Sequence, residues 1–199
     1  MTKTATPAVV DESKTTPAAA AAKPPTRDRI LFATAELFRR QGYHGTGLKQ
    51  IVAEADAPFG SLYHHYPGGK QELGEQVIES AGAFFQALVT AVYDAESSTE
   101  DAVRAVFAGA AATLEATDYE DACPIAAVAL EVASTDDRLR RATAAVFERW
   151  TEALTERLGD RAKALAVIAA LEGAFVLCRA SRSTEAMHAA GEMAAALVA

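Results

Sequence analysis

Between Thr46 and Lys70 the chain reads TGLKQIVAEADAPFGSLYHHYPGGK, and no other stretch constrains the fold as tightly. Leu48, Ile51, Val52 and Ala55 recur at i, i+3, i+4 and i+7, the spacing of one helix face. Asp56-Ala57-Pro58 breaks that rhythm, and Pro58 suits the first turn of a following helix, where a missing N–H does no harm. The second helix is short. It carries Gly60, Ser61, Tyr63, His64 and His65, with Leu62 and Tyr66 spaced i, i+4 as anchors. Two short helices joined tightly, the second rich in hydrogen-bonding groups and poor in acids, form a helix-turn-helix pattern suited to insertion beside nucleic acid.

The remainder reads as helix almost throughout. A first helix is expected over 27–41, capped by Thr26, with Ile30, Ala33, Leu37 and Phe38 as its buried stripe and Gly42 as its stop. Arg39 and Arg40 suit the dipole of its last turn and are also within reach of a phosphate. Further helices are expected near 70–95, 99–117, 121–134, 136–158, 160–181 and 184–198. Thr99 before Glu100-Asp101 and Ser134-Thr135 before Asp136-Asp137 are N-terminal signals. Residues 1–25, a Thr/Pro/Ala/Lys segment without an apolar face, read as a disordered tail that Lys14 and Lys23 equip for weak DNA contacts.

The helix at 160–181 is apolar nearly all round from Ala164 to Leu177, with Glu172 its only charge. Such a helix must be buried on all sides, and a second subunit supplies the missing cover. Ala166, Ala169, Ala170, Gly173 and Ala174 permit close approach. Met187, Ala190, Met193, Ala194 and Leu197 of the last helix complete a four-helix interface with a two-fold mate. A central core helix in a monomer is the competing reading.

Charge is distributed unevenly around the formal total of −8. Residues 1–70 hold nine Lys/Arg and six Asp/Glu, net +3, while residues 71–199 hold ten and twenty-one, net −11. An N-terminal unit that approaches phosphates and an acidic remainder turned away from them is the organisation this implies. Cys123 and Cys178 lack metal-ligand spacing and read as free, packed thiols of a reducing compartment. His64 and His65 are adjacent on a helix and so diverge, which argues against a metal site. No cofactor is implied. No nucleophile–base pair or phosphate-binding glycine loop points to an enzyme. Without an evident spanning segment or signal core, the protein is expected in the cytoplasm, with no membrane partner.

With these residues in view, residues 27–78 resemble the DNA-binding domain of the TetR family of bacterial repressors, through RILFATAELFRRQGYHGTGLKQIV and GSLYHHYPGGK with the EL that follows. GYHGTGLKQIV, the extra glycine of PGGK, CPIAAVALE at 123–131 and RASRSTE at 179–185 resemble the LmrA/YxaF-like subgroup, extending the likeness to residues 27–199. The resemblance implies an all-α protein with three parts: the tail at 1–25, a three-helix DNA-binding domain at 26–72, and a helical effector-binding and dimerisation domain at 73–199. It implies a homodimer that reads a pseudo-palindromic DNA operator and is released by a small aromatic or drug-like effector. A helical small-molecule-binding or interaction protein without DNA binding is the alternative.

Tyr63, His65, Lys70 and Thr46 match the family's phosphate-facing positions, and Pro58, Phe59, Gly60, Ser61 and His64 are candidates for base edges, with Lys49 a further DNA-binding candidate. Three residues depart from the pattern: Asp56 where glycine is usual, Pro58 where a serine-like cap is usual, and Phe59 where lysine is frequent. Phe59 replaces a cationic contact with a ring suited to a thymine methyl. For the effector, Phe85, Leu88, Phe107, Phe147, Trp150, Phe175 and Cys178 are the candidate lining, with Tyr93 and Tyr119 as further polar contacts. Trp150 also has a purely structural reading. The helix at 70–95, which begins at the DNA-binding unit and ends in the effector domain, is the expected connector.

Overall fold

The computed structural model describes residues 23–199; all of the N-terminal tail except Lys23, Pro24 and Pro25 lies outside the described residues. Nine helices and no strand occur among them: α1 (Thr26–Gln41), α2 (Leu48–Glu54), α3 (Phe59–His65), α4 (Gly69–Ala95), α5 (Thr99–Ala116), α6 (Pro124–Val132), α7 (Asp137–Leu158), α8 (Arg161–Ser181) and α9 (Glu185–Val198). The expected helices are all present, and α6 is shorter than expected. Its start is set by Pro124, which occupies the first helical position, leaving Asp121, Ala122 and Cys123 as an extended approach.

Local chemistry fixes the ends. Thr26 is the first residue of α1 and not its cap; Pro25 holds the N-cap position with no side-chain bond. Likewise the cap of α5 is Ser98, one residue before Thr99, and its hydroxyl accepts from the Asp101 N–H. Asp136 and Asp160 cap α7 and α8 by accepting from the second and third N–H groups beyond them. Pro58 precedes α3 as its N-cap, so α3 starts without a side-chain acceptor.

The first three helices and the start of α4 enclose a core of Ile30, Leu37, Ile51, Leu62, Tyr66 and Leu73. Burying each aliphatic side chain contributes about 2 kcal/mol. Arg29 fastens the turn between α2 and α3, donating from Nε to the Ala55 carbonyl at 2.9 Å and from Nη2 to the Asp56 carbonyl at 2.8 Å. Asp56 adopts φ +46°, the left-handed conformation that aspartate reaches more readily than most residues. A second core, with Phe38, Val77, Ile125, Val128, Leu139 and Val146, joins α1 to α4, α6 and α7. A third, with Val103, Phe107, Leu114, Ala164, Cys178 and Met187, is shared by α5, α8 and α9.

The helix α8 corrects one expectation and bears on another. By length and composition it is apolar enough to cross a bilayer, contrary to the reading that no run qualifies. It is also not the enclosed core helix of the competing reading: Leu165, Val176 and Leu177 are exposed, as are Met193 and Leu197 of α9.

At Gly82, α4 passes α7 so closely that an added Cβ would lie 2.6 Å from Val146 Cγ1 and 2.8 Å from Cγ2. Valine is stiff at χ1, so the overlap is not relieved by rotation. Glycine to alanine within a helix gains about 1 kcal/mol of propensity, against about 1–3 kcal/mol for overpacking. Gly82→Ala should therefore lower the urea unfolding midpoint, and adding Val146→Ala should reverse the sign of the glycine substitution.

Candidate nucleic-acid interface and ligand cavity

Helix α3 is anchored from one side and bare on the other. Leu62 is fully buried, and Tyr66, just past its end, is also buried with its hydroxyl donating to the Arg27 carbonyl at 2.9 Å. Opposite, Pro58, Phe59, Gly60, Tyr63 and His64 are exposed, while Ser61 and His65 are half-buried. Phe59 and Tyr63 stack edge to face, ring centroids 6.0 Å apart. Carboxylates are absent from the run between Asp56 and Glu72, so nothing on this face repels a phosphate. A Cβ on Gly60 would meet nothing within 4 Å, which removes packing against α2 as the reason for this glycine. Lys49 projects from α2 into solvent.

Thr46 and Lys70 are more enclosed than the sequence suggested. Thr46 is only 1% exposed, and its hydroxyl donates to the Gly42 carbonyl at 2.7 Å. It locks the loop before α2 and has no free face for a phosphate. Lys70 is half-buried with Nζ 4.4 Å from the Tyr43 ring centroid, and burial holds its pKa below the usual lysine value. Arg39 spends its charge within the protein, pairing with Asp121 at 3.0 Å and with Glu36.

That loop is gripped from the other half of the chain. Glu131, at the end of α6, accepts from the backbone N–H groups of Tyr43 at 3.1 Å and His44 at 2.6 Å, and its Oε2 lies 3.0 Å from His44 Nδ1. Gly42 lets the carboxylate in: a Cβ there would sit 1.6 Å from Glu131 Oε1, and φ is +75°. Gln71 binds the α7 cap Asp136 at 2.8 Å, and Glu75 pairs with Arg138. Sequence reading missed Glu131 because its partners lie 87 and 88 residues away.

Between α4, α5, α7 and α8 lies an apolar cavity of about 440 Å³. This is the size range of small-molecule pockets. Phe85, Leu88, Phe107, Trp150 and Phe175 line it, with Tyr93. Phe147 and Cys178 do not. Phe147 stands behind Trp150, centroids 5.6 Å apart, and Cys178 is fully buried in the α5–α8–α9 core. Tyr119 is also outside, packed against that same core. The cysteine on the cavity wall is Cys123. Trp150 serves both roles weighed for it, lining the cavity while its Nε1 donates to the Gly82 carbonyl at 2.9 Å.

The polar atoms of this cavity are few and incompletely paired. Arg39 Nε, Asp121 Oδ1 and Glu172 Oε2 are the buried side-chain atoms lacking a hydrogen-bond partner among the described residues, and all three residues line the cavity. Burial pushes the Glu172 carboxyl up to about 7. Burial, and then the neighbouring Glu172, push the Cys123 thiol well above its ordinary value. Glu172 was visible in the sequence as the single charge of an apolar helix; that it faces a void was not.

The chain matches the family described as bacterial regulatory proteins, tetR family, over residues 30–77, and the LmrA/YxaF-like transcriptional regulator C-terminal domain over residues 99–193. It is 36% identical over 169 residues to an uncharacterized HTH-type transcriptional regulator of Mycobacterium tuberculosis, covering 78% of this chain and 85% of the relative. It is 30% identical over 172 residues to the HTH-type transcriptional regulator LmrA of Bacillus subtilis, covering 82% and 92%. The fold is similar to that of a regulatory protein TetR from Rhodobacter sphaeroides, with TM-score 0.77 at 20% identity over 86% of this chain and 97% of that one. Reduced NemR of Escherichia coli superposes with TM-score 0.73 at 20% identity, covering 85% and 94%. The protein belongs to the TetR family of transcriptional regulators, in its LmrA/YxaF-like group. It is a regulator and not an enzyme.

The Glu172 carboxyl gives a stability signature. Its folded pKa of about 7 lies above the ordinary 4.5, so the folded state holds the proton more tightly and stability falls as pH rises from about 4.5 to 7. Glu172→Gln should remove that fall, gaining up to about 3 kcal/mol over the parent at about pH 8 relative to about pH 4. Urea unfolding at fixed protein concentration measures it; parallel pH profiles for the two proteins would contradict the assignment.

Proposed function

We propose that this chain is a repressor that binds a pseudo-palindromic operator as a homodimer and leaves it when a small apolar effector fills the cavity. The exposed, acid-free face of α3 carries this reading. Phe59, Gly60, Ser61 and His64 meet base edges, with Pro58 at the entry; Tyr63, His65 and Lys49 meet phosphates. Phosphate contacts position the protein and base contacts specify. Lys70 contributes its charge from beneath the Tyr43 ring. The working division is a DNA-binding domain at 26–72 and an effector and dimerisation domain at 73–199.

Dimerisation through α8 and α9 is supported by their exposed Leu165, Val176, Leu177, Met193 and Leu197. A mate bearing the same face covers these side chains by two-fold symmetry. Two α3 helices then enter successive major grooves about 34–36 Å apart.

Two elements connect cavity to DNA-binding unit. Helix α4, the connector suggested by chain order, begins beside α3 and lines the cavity through Phe85 and Tyr93. Helix α6 is the second: Cys123 before its start lines the cavity, and Glu131 at its end holds the Tyr43–His44 loop. A ligand that displaces Asp121 or Cys123 shifts α6, and with it the loop leading into α2. The coupling required is about 1–3 kcal/mol.

Selection from a random duplex library should return a two-fold sequence, and its affinity should fall steeply between low and moderate salt. Lys49→Ala should weaken all duplexes alike, whereas Phe59→Ala should change base preference by about 1–3 kcal/mol at one position per half-site. A uniform loss for both variants would refute this division of roles. Glu131→Ala should leave operator binding measurable by anisotropy while blunting its response to a cavity ligand; an undiminished response would exclude α6 as a route.

A further inference from the structure

Among the described residues, every charge at the cavity has a counter-ion except one. Arg39 is paired with Asp121 at 3.0 Å and with Glu36, and Arg157 with Asp94 at 2.7 Å, its guanidinium also stacked on the Tyr93 ring. Tyr93 and Cys123 are neutral, their ionisation pushed up by burial. The unpartnered Arg39 Nε and Asp121 Oδ1 belong to one ion pair, a donor and an acceptor of opposite sign that together attract no net charge. Glu172 remains, projecting from α8 among apolar walls with Oε2 shielded from solvent and unpartnered among the described residues.

We propose that the ligand of this cavity is a rigid apolar body bearing a basic amine, and that the Glu172 carboxylate receives the ammonium. The inference deepens the effector reading and rests on it only for the regulatory consequence. A carboxylate in an apolar wall, met by no stronger donor than the Cys123 thiol, is costly to leave ionised, and a ligand cation supplies the missing charge and a donor for the unpartnered Oε2. A neutral hydroxyl supplies the donor alone, and an anion must be taken up beside a protonated Glu172. The burial that raises the Glu172 carboxyl to about 7 makes the pairing proton-linked: below that pH the amine must displace a proton to form the ion pair.

The test uses the full chain and three probes on one naphthalene body: naphthylmethylamine, naphthylmethanol and naphthoate. Calorimetric titration at about pH 8 should show the amine binding about tenfold or more tighter than the alcohol, the ratio expected of one charge-assisted bond in a desolvated site, with naphthoate weakest. Glu172→Gln should bring the amine-to-alcohol ratio to about one. In the parent protein, which sidesteps any folding defect of the variant, that ratio should fall about tenfold between about pH 8 and about pH 6, with proton release on amine binding. No amine binding, a parent ratio near one, or a ratio untouched by Glu172→Gln would overturn the proposal. Glu172-dependent amine binding that leaves operator affinity unchanged would uphold it while removing the effector role of the cavity.

Discussion

Two adjacent backbone N–H groups, those of Tyr43 and His44, end in a carboxylate contributed from the far half of the chain. Most of the architecture can be traced outward from that contact. The loop it holds leads into α2, and Thr46 locks the same loop from within. Glu131 reaches it because α6 packs between α1 and α7 over Phe38, Ile125, Val128 and Leu139. The Tyr43 bond is part-buried and the His44 bond exposed, and a carboxylate acceptor makes both charge-assisted, so the grip favours one relative placement of the two halves. Gly42 is the steric condition for it.

The same halves divide the electrostatic labour. The net charge of +3 over residues 1–70 and −11 over residues 71–199 places the acids on the part that carries the cavity. Several of those acids are spent on arginines that bridge helices, as in Glu75 with Arg138, Glu79 with Arg149 and Asp94 with Arg157. Exposed pairs of this kind contribute little stability individually. All three link α4 to α7, two of the helices around the cavity.

The helices were legible because apolar spacing is a local property. Gly42 ended α1 where expected, and Gly159 ends α7 in the same way, both with positive φ. The starts moved by one residue at Thr26 and Thr99: Pro25 holds the N-cap position of α1 without a side-chain bond, and Ser98 caps α5 in place of Thr99. What stayed hidden depended on which wall of a helix meets which neighbour. Cys123 and Cys178 look alike in sequence, yet one borders the cavity and the other fills a core. Thr46 bears the hydroxyl of a phosphate contact and spends it on the Gly42 carbonyl. Glu172 announced itself as a lone charge, and only the fold shows that it opens onto a void.

Trp150 is the only indole in the chain, and it sits on the cavity wall with its N–H tied to the Gly82 carbonyl where α4 crosses α7. Indole emission responds to the polarity of its surroundings and to any ring stacked on it. The molecule thus carries an optical reporter at the spot where occupancy and helix crossing meet. Filling the cavity and sliding α4 against α7 would both register in one unlabelled signal, so the two events can be followed in time without modifying the protein.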